Sequence, residues 1–481
     1  MAGQSDRNMR RSSLFTRYTS DLIVVLSAVA AVDLPARAQL PADPRSEIPS
    51  RQAAKLGEEP PEAAAIRFLD LNPTVEATPE DPTTPSFAGP IHDRSKLIGD
   101  WLGWRSSLQE CGISFDLRTA QYYQGVTTGG LEQAFQYGGR NDYFLNLDGE
   151  KLGLWKGFLI TLHGESRYGE SVNSIGGTLL APNLLLALPL PNGSVTALTS
   201  VTFTQNVTEE LQIFGGKLNT LDDNEQPLTG AGNLNGFQNT AMLYNPVFAR
   251  TIPYSTFGAG FACLQNEETV FSAIVYDTND TPTVSGFDTF FDNGATVYAE
   301  LNLSTTFFDR PGHHGFSGTY SSGTYTNLTR SAYLDPIEGL VILSTPITGS
   351  WCLAYNFDQA LHVSPDDSER MWGVFGNFGI ADKNPSPVRW FASAGVSGAS
   401  QIAGREADSF GVAYFYLGVS EPLKDPARLL LKLRDEHGVE LYYNVAITPS
   451  CQITPDLQVI TPFRERADTS LLFGLRAMID F

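Results

Sequence analysis

From Gly112 onward the chain reads as a succession of short segments in which apolar and polar residues alternate, set between turn-rich connections. They fall at 112–125, 142–152, 157–169, 197–207, 210–220, 256–264, 268–279, 294–307, 312–326, 349–363, 370–381, 389–400, 408–421, 437–448, 451–463 and 470–481, sixteen in all. A period of two sends successive side chains to opposite faces of a strand. In "TVYAELNLS" the set Val297, Ala299, Leu301 and Leu303 opposes Tyr298, Glu300, Asn302 and Ser304. In "GVELYYNVAIT" Val439, Leu441, Tyr443, Val445 and Ile447 oppose Glu440, Tyr442, Asn444 and Thr448, and in "GFLITLHGES" Phe158, Ile160 and Leu162 oppose Thr161, His163 and Glu165. A sandwich alternates in the same way, so the connections decide. Those after the second, fourth, sixth, eighth and fourteenth segments are very short, whereas 126–141, 170–196, 221–255 and 327–348 are long. Tight turns on one rim and extended loops on the other mark a transmembrane β-barrel. The expected fold is therefore all-β, an antiparallel barrel of sixteen strands.

The last segment, "SLLFGLRAMIDF", supports closure. A closed barrel has no edge, so the final strand pairs with the first and the terminal Phe481 reaches the membrane interface, where aromatic rings are favoured. In bacterial outer-membrane proteins such an ending is also read by the assembly machinery, an expected partner through Phe481. Export is predicted from Arg7, Arg10, Arg11 and Arg17 before the apolar run Leu22 to Val32 and the small-residue site Ala36-Arg37-Ala38, giving a signal peptide over 1–38. Residues 39–92, rich in Pro, Ala and acids, are too poor in apolar surface to form a core and read as a disordered periplasmic arm. The barrel takes 93–481, opened by a short amphipathic helix in which Leu97, Trp101, Trp104 and Leu108 recur at helical spacing.

Composition agrees. Charged residues are 18%, below the quarter usual in soluble domains. A net charge of −21 with dispersed Lys and Arg excludes a nucleic-acid partner. The longest apolar run, 179–191, is broken by Pro182, Pro189 and Pro191, so any membrane crossing is by strands. Cys111, Cys263, Cys352 and Cys451 match no zinc or redox spacing, and no pairing is predicted.

Three stretches carry a resemblance: "GDWLGWRSSLQECGISFDL", "NLDGEKLGLWKGF" and "VELYYNVAITPSCQITPDLQVITPF". They resemble the carbohydrate-selective porins of the OprB family over about 93–481. The late block is the most specific, with Glu440, Tyr443, Asn444, Pro455, Gln458 and Pro462 in register. The resemblance implies a sixteen-stranded outer-membrane channel, set in outer-membrane lipid, through which glucose and similar monosaccharides or small oligosaccharides diffuse. A homotrimer follows by analogy with other porins.

If the alternation holds, Arg118, Asp148, His163, Glu165, Arg167, Glu300, Glu440 and Arg476 face the lumen. Arg118 and Arg476 are expected to meet where the first and last strands close, as a basic patch at mid-height opposed by Glu165, Glu300 and Glu440. Such a crossed field exchanges hydrogen bonds with sugar hydroxyls and discourages apolar solutes, and Tyr298, Tyr414 and Tyr442 offer ring faces for stacking. The bland alternative is that these charges only solvate a water-filled wall. The segment 221–255 is expected to fold inward and bring Asp222, Asp223, Glu225 and Arg250 to a constriction, with 179–191 buried against the barrel or a neighbouring protomer. No catalytic residue, metal or cofactor is expected. His163 lies near Glu165, but adjacent His313 and His314 point to opposite faces of a strand, and no hydrolase, metalloprotease or phosphate-loop motif is present. The competing readings are a general non-selective porin, a barrel enzyme such as a lipase, and a soluble exported β protein.

Overall fold

The computed structural model describes residues 89–481 apart from 190–192, 223–227, 229–234, 267, 330, 336–338, 344, 366 and 428–431. The expected signal peptide and nearly all of the arm lie outside the described residues. Eighteen strands occur in chain order: β1 (Ile113–Gly130), β2 (Phe135–Asp148), β3 (Phe158–Gly169), β4 (Val195–Asn206), β5 (Leu211–Asn219), β6 (Ser255–Gln265), β7 (Glu268–Asp277), β8 (Ala295–Phe307) and β9 (Arg310–Thr326) form the first half. The second half is β10 (Ser331–Asp335), β11 (Gly339–Leu343), β12 (Pro346–Ser364), β13 (Asp367–Ala381), β14 (Val388–Ala399), β15 (Ser409–Val419), β16 (Glu436–Thr448), β17 (Cys451–Thr461) and β18 (Asp468–Asp480). Sixteen of these close into an antiparallel barrel with β18 paired to β1, while β10 and β11 make a separate hairpin.

All sixteen expected strands are present in the barrel. Two expectations about their surroundings change. The segment 126–141, read as a long loop, is mostly strand: β1 runs to Gly130 and β2 starts at Phe135, leaving 131–134 as the connection. The β10–β11 hairpin, within the connection from β9 to β12, gave no sign in the sequence. Among the described residues no helix is long and apolar enough to cross a membrane, so the crossing elements are strands.

Alternation governs burial as expected. Along β3, from Phe158 to Tyr168, half-buried outward residues alternate with buried inward ones without a break. The outward set is an apolar band that includes Val297, Leu353, Val412, Leu441 and Leu475, all exposed on the barrel wall and suited to lipid.

The amphipathic helix is shorter than expected. Trp101–Gly103 forms one 3-10 turn, Leu102 and Gly103 take positive φ, and α1 (Trp104–Glu110) follows. Its buried residue is not an apolar one but Arg105, whose guanidinium donates to the carbonyls of Phe115 (2.9 Å) and Phe481 (2.8 Å), while Trp104 stays exposed. Lys96 pairs with Asp116 at 2.5 Å. The segment therefore grips the β1–β18 seam, where Phe481 N–H also donates to Leu117 O at 2.8 Å. Gly112 allows α1 to stop at the barrel rim: its φ is +86°, and a Cβ there would meet Lys151 Cβ at 2.6 Å.

Candidate pore constriction

Two long connections turn into the lumen and are held there by the wall. The first joins β3 to β4. Its residues Leu179 and Leu180 donate backbone N–H groups to the Glu436 carboxylate (2.6 and 3.0 Å), and Arg167 donates to Leu186 O at 2.8 Å. Gln458 donates to Pro182 O at 2.9 Å, Asn183 to Gln124 at 2.7 Å, and Leu185 and Leu186 pack on Ala120 and Tyr122 of β1. The described part of the apolar run, 179–189, is thus buried against the barrel, from inside.

The second connection, from β5 to β6, contains α2 (Thr240–Leu243) and a 3-10 turn, Pro246–Arg250. Glu440 accepts the backbone N–H groups of Gln238 (2.6 Å) and Asn239 (3.0 Å), and Arg476 donates to Gly236 O at 2.8 Å. Glu436 and Glu440 share a face of β16 four residues apart, about 13 Å along the strand, so each supports one loop. The loops also bond to each other, Leu184 N–H to Gln238 O (2.9 Å) and Thr240 N–H to Ala181 O (3.0 Å).

Both roots of the second loop are clasped by a buried network on β2 and β3. His163 Nδ1 lies 2.8 Å from Asp222 Oδ1 and Nε2 lies 3.1 Å from Asp142 Oδ1, with Phe144 stacked on the imidazole. Arg140 binds Asp142 at 2.7 Å and also Glu165, and Tyr254 Oη donates to the Glu165 carboxylate, both oxygens at 2.6 Å. Burial, with the Glu165 charge adding to it, holds the Tyr254 hydroxyl well above its ordinary pKa, so it remains a donor. Asp142, His163 and Glu165 bring possible ligand atoms within 4.8 Å of one another. Because Arg140 already contacts both carboxylates, the chain itself supplies the positive charge this cluster needs.

The other expected site residues divide. Arg118 faces inward but pairs with Asp480 at 2.6 Å, near the periplasmic end. Arg476 registers with Tyr122 and Arg118 with Asp480, so the two guanidinium groups lie four positions apart and the expected basic patch at mid-height does not form. The closing register places the chain end beside Leu117, so the first residues of β1 run below it. Asp148 ends β2 at the periplasmic turn rather than lining the lumen, accepting the N–H groups of Glu150 (3.0 Å) and Lys151 (3.2 Å). Tyr414 faces outward and is exposed, because Ala413 and Phe415 take the inward positions of β15. Tyr442 is inward and buried, edge-on to Phe237 at 4.8 Å. Tyr298 and Glu300 face inward on β8, Tyr298 meeting Phe248 of the loop at 6.0 Å, and the Arg250 guanidinium lies 5.7 Å from the Tyr325 ring centre. Asp223 and Glu225 lie outside the described residues. His313 and His314 take opposite faces, with Asp358 (2.9 Å) and Tyr355 (2.7 Å) as partners. All four cysteines are free.

Sequence reasoning missed Arg140, Asp142, Glu436 and Tyr254. Arg140 falls in the expected loop 126–141 and Asp142 opens the expected strand 142–152, yet Arg140, Asp142 and Phe144 keep one period of two. Glu436 and Glu440, at a spacing that keeps one face, were a legible pair.

The wall opposite these anchors is different. Around the ring β9 stands across from β1, and an inward row runs through Asn302, Gly315, Asn356, Asn377 and Ser393 on β8, β9, β12, β13 and β14. Its groups are uncharged, and Asn302 and Asn356 are only half buried.

A closed sixteen-stranded barrel with loops folded inward is the architecture of a porin, and the family model for carbohydrate-selective porins, OprB family, matches residues 132–481. The chain belongs to the OprB family. The high-pH structure of Pseudomonas putida OprB is similar at 21% identity and a TM-score of 0.69, covering 80% of this chain and 98% of that one. The low-pH structure of Pseudomonas putida OprB gives 17% identity and a TM-score of 0.50 over 80% and 98%. At these identities the likeness shows the fold. Among curated proteins no sequence matches the chain significantly. An OprB-family porin is a sugar channel of the bacterial outer membrane, and family and fold are those of a channel rather than an enzyme.

Proposed function

We propose that this OprB porin passes monosaccharides, glucose among them, by passive diffusion along a row of neutral groups on β8 to β14, in a constriction whose shape is set by the buried polar groups of β2, β3 and β16 to β18. The observation that carries this reading is the half-buried inward amide pair Asn302 and Asn356, in a row continued by the buried Asn377 and Ser393. Amide and hydroxyl groups both donate and accept, which matches a ring of sugar hydroxyls, and conduction needs contacts weak enough to release the solute. Glu300 beside the row adds acceptors, and Tyr298 a ring face. Arg140, His163, Glu165, Arg167, Glu440 and Arg476 spend their hydrogen bonds on loops and neighbouring wall groups, so their part is to fix the aperture. Residues 1–38 act as a cleaved export signal and 39–92 as a periplasmic arm, lipid covers the apolar band, and Phe481 is read by the assembly machinery.

Liposome swelling tests the proposal. Glucose should enter faster than amino acids of similar mass, and larger oligosaccharides more slowly. Entry ranked by size alone would instead mean a general porin of sugar-porin ancestry.

A further inference from the structure

The outer wall of β12 to β14 carries an apolar groove of about 430 Å³. Leu353 and Tyr355 of β12, Phe378 and Ile380 of β13 and Trp390 of β14 flank it, and Ala392 is its floor. Leu353 pairs with Ile380 and Tyr355 with Phe378, and on the next strand Ile380 meets Trp390 and Phe378 meets Ala392. All six point away from the lumen, since Asn356, Asn377 and Ser393 take the inward parity of these strands. The groove exists because Ala392 is small between Phe378 and Tyr416, and because the Trp390 ring lies over Gly418, where a Cβ would collide with the indole nitrogen. The indole stacks on Tyr416 at 4.9 Å and 7°. β13 ends at Ala381 and β14 starts at Val388, so the groove opens just below the rim of the long connections. Its rings stand at the depth where aromatic side chains meet lipid head groups.

Two bases stand at that rim. Lys383 lies in the loop, and Arg389 is the extra residue at the register shift between Val388 and Trp390. Both are exposed, and among the described residues neither has a hydrogen-bond or ion-pair partner. The neighbouring acid, Asp382, is taken up by the backbone, accepting from Trp351 N–H (3.2 Å) and Ser386 N–H (3.3 Å). In a chain with a net charge of −21, such cations beside an apolar groove are a local exception. We infer that the groove binds a phosphate-bearing lipid of the outer leaflet, one acyl chain lying over Ala392 and the phosphate reaching Lys383 and Arg389. A neutral lipid would fill the groove and leave both bases without a counter-charge. A free anion would use the bases and leave the groove to other occupants. An anionic lipid satisfies the two together, with strong charge-assisted bonds from Lys and Arg to phosphate oxygens. This inference is independent of which solute the pore admits.

The test is native mass spectrometry of the purified porin in mild detergent, titrated with bis-phosphorylated lipid A or with lipid A stripped of its phosphates. The wild type should retain the phosphorylated lipid and bind the stripped one about tenfold more weakly or worse. Lys383→Gln/Arg389→Gln should bring the phosphorylated lipid down to the level of the stripped one. Ala392→Phe, which fills the floor, should weaken both lipids. Inorganic phosphate at millimolar concentration should displace neither. Each variant should migrate as a folded barrel on unheated SDS gels and keep its single-channel conductance, because the lumen face is untouched. If Ala392→Phe does not fold, Ala392→Val replaces it and should act in the same direction. A wild type that retains no lipid or holds both lipids equally, a preference for phosphate that survives in the double variant, or displacement by inorganic phosphate would each overturn the inference.

Discussion

The two halves of the lumen wall do opposite work with different chemistry. On the side formed by β2, β3 and β16 to β18, charged groups are buried and bonded: Glu436 and Glu440 hold loop N–H groups, Arg167 and Arg476 hold loop carbonyls, and His163 and Glu165 clasp the loop roots at Asp222 and Tyr254. On β8 to β14 the inward row is uncharged and partly open, and contacts to the loop are of the Asn245–Asn377 kind at 2.7 Å. The difference teaches that charge in this lumen is used where backbone must be held, since hydrogen bonds to an ionised group are about twice as strong as neutral ones. A neutral row is left where a solute has to bind and leave.

The comparison breaks most readily at Glu440. Glu440→Ala removes the carboxyl that accepts two loop N–H groups and leaves Gln238 N–H and Asn239 N–H unpaired in a buried site, at about 1–3 kcal/mol each. Planar-bilayer recordings should show the largest rise in conductance and open-channel noise of any single change considered. Unchanged conductance would mean that Glu440 is not what holds the loop. Asp222→Asn should act in the same direction but less, by about 1–2 kcal/mol of docking, because the asparagine oxygen still reaches His163 and the Tyr254–Glu165 clasp stays intact.

Substitutions on the opposite wall should separate selectivity from aperture. Asn302→Ala and Asn356→Ala remove side chains that hold neither loop root, so conductance to salt should stay near wild type. In liposome swelling the preference for glucose over a size-matched amino acid should shrink, by the worth of a neutral hydrogen bond, about 0.5–1.5 kcal/mol. A changed conductance with unchanged preference would invert the roles given to the two walls.

How much of this was written in the chain locally explains which parts were readable. A barrel wall has two unlike faces, so a period of two survives in nearly every strand, and all sixteen strands could be read from it. Parity fails where both faces are apolar or aromatic: in "AYFY", Tyr414 and Phe415 compete and only packing decides that Phe415 is inside. The loops were harder. That Glu436 meets Leu179, and Glu440 meets Gln238, joins residues more than two hundred positions apart, and no local pattern encodes such a pair. The inward turn of 221–255 was expected from porin architecture, whereas the loop from β3 to β4 was expected only to lie buried against the barrel or a neighbouring protomer, with no sign that it turns into the lumen.

The smallest effect concerns charge that holds a turn rather than a loop. Asp408, at the end of the turn between β14 and β15, accepts from Arg405 Nε (2.7 Å) and Nη2 (2.6 Å), from Tyr443 Oη (2.9 Å) and from Ala446 N–H (2.9 Å). Burial alone would push its pKa up, but these donors outweigh burial and hold the carboxyl below its usual value. A depressed folded-state pKa means the stabilisation is present in full above the unfolded value of about 3.9 and is lost as pH falls through the folded value. Asp408→Asn should therefore lower the thermal unfolding temperature in detergent at pH 7, by the equivalent of about 1–3 kcal/mol, and the gap from wild type should close as the pH drops below about 4. Conductance should be unaltered throughout, because the turn lies on the rim away from both lumen walls. A rise in conductance in this variant would show that loosening the barrel anywhere opens the pore, and the division of labour between the two walls would lose its basis.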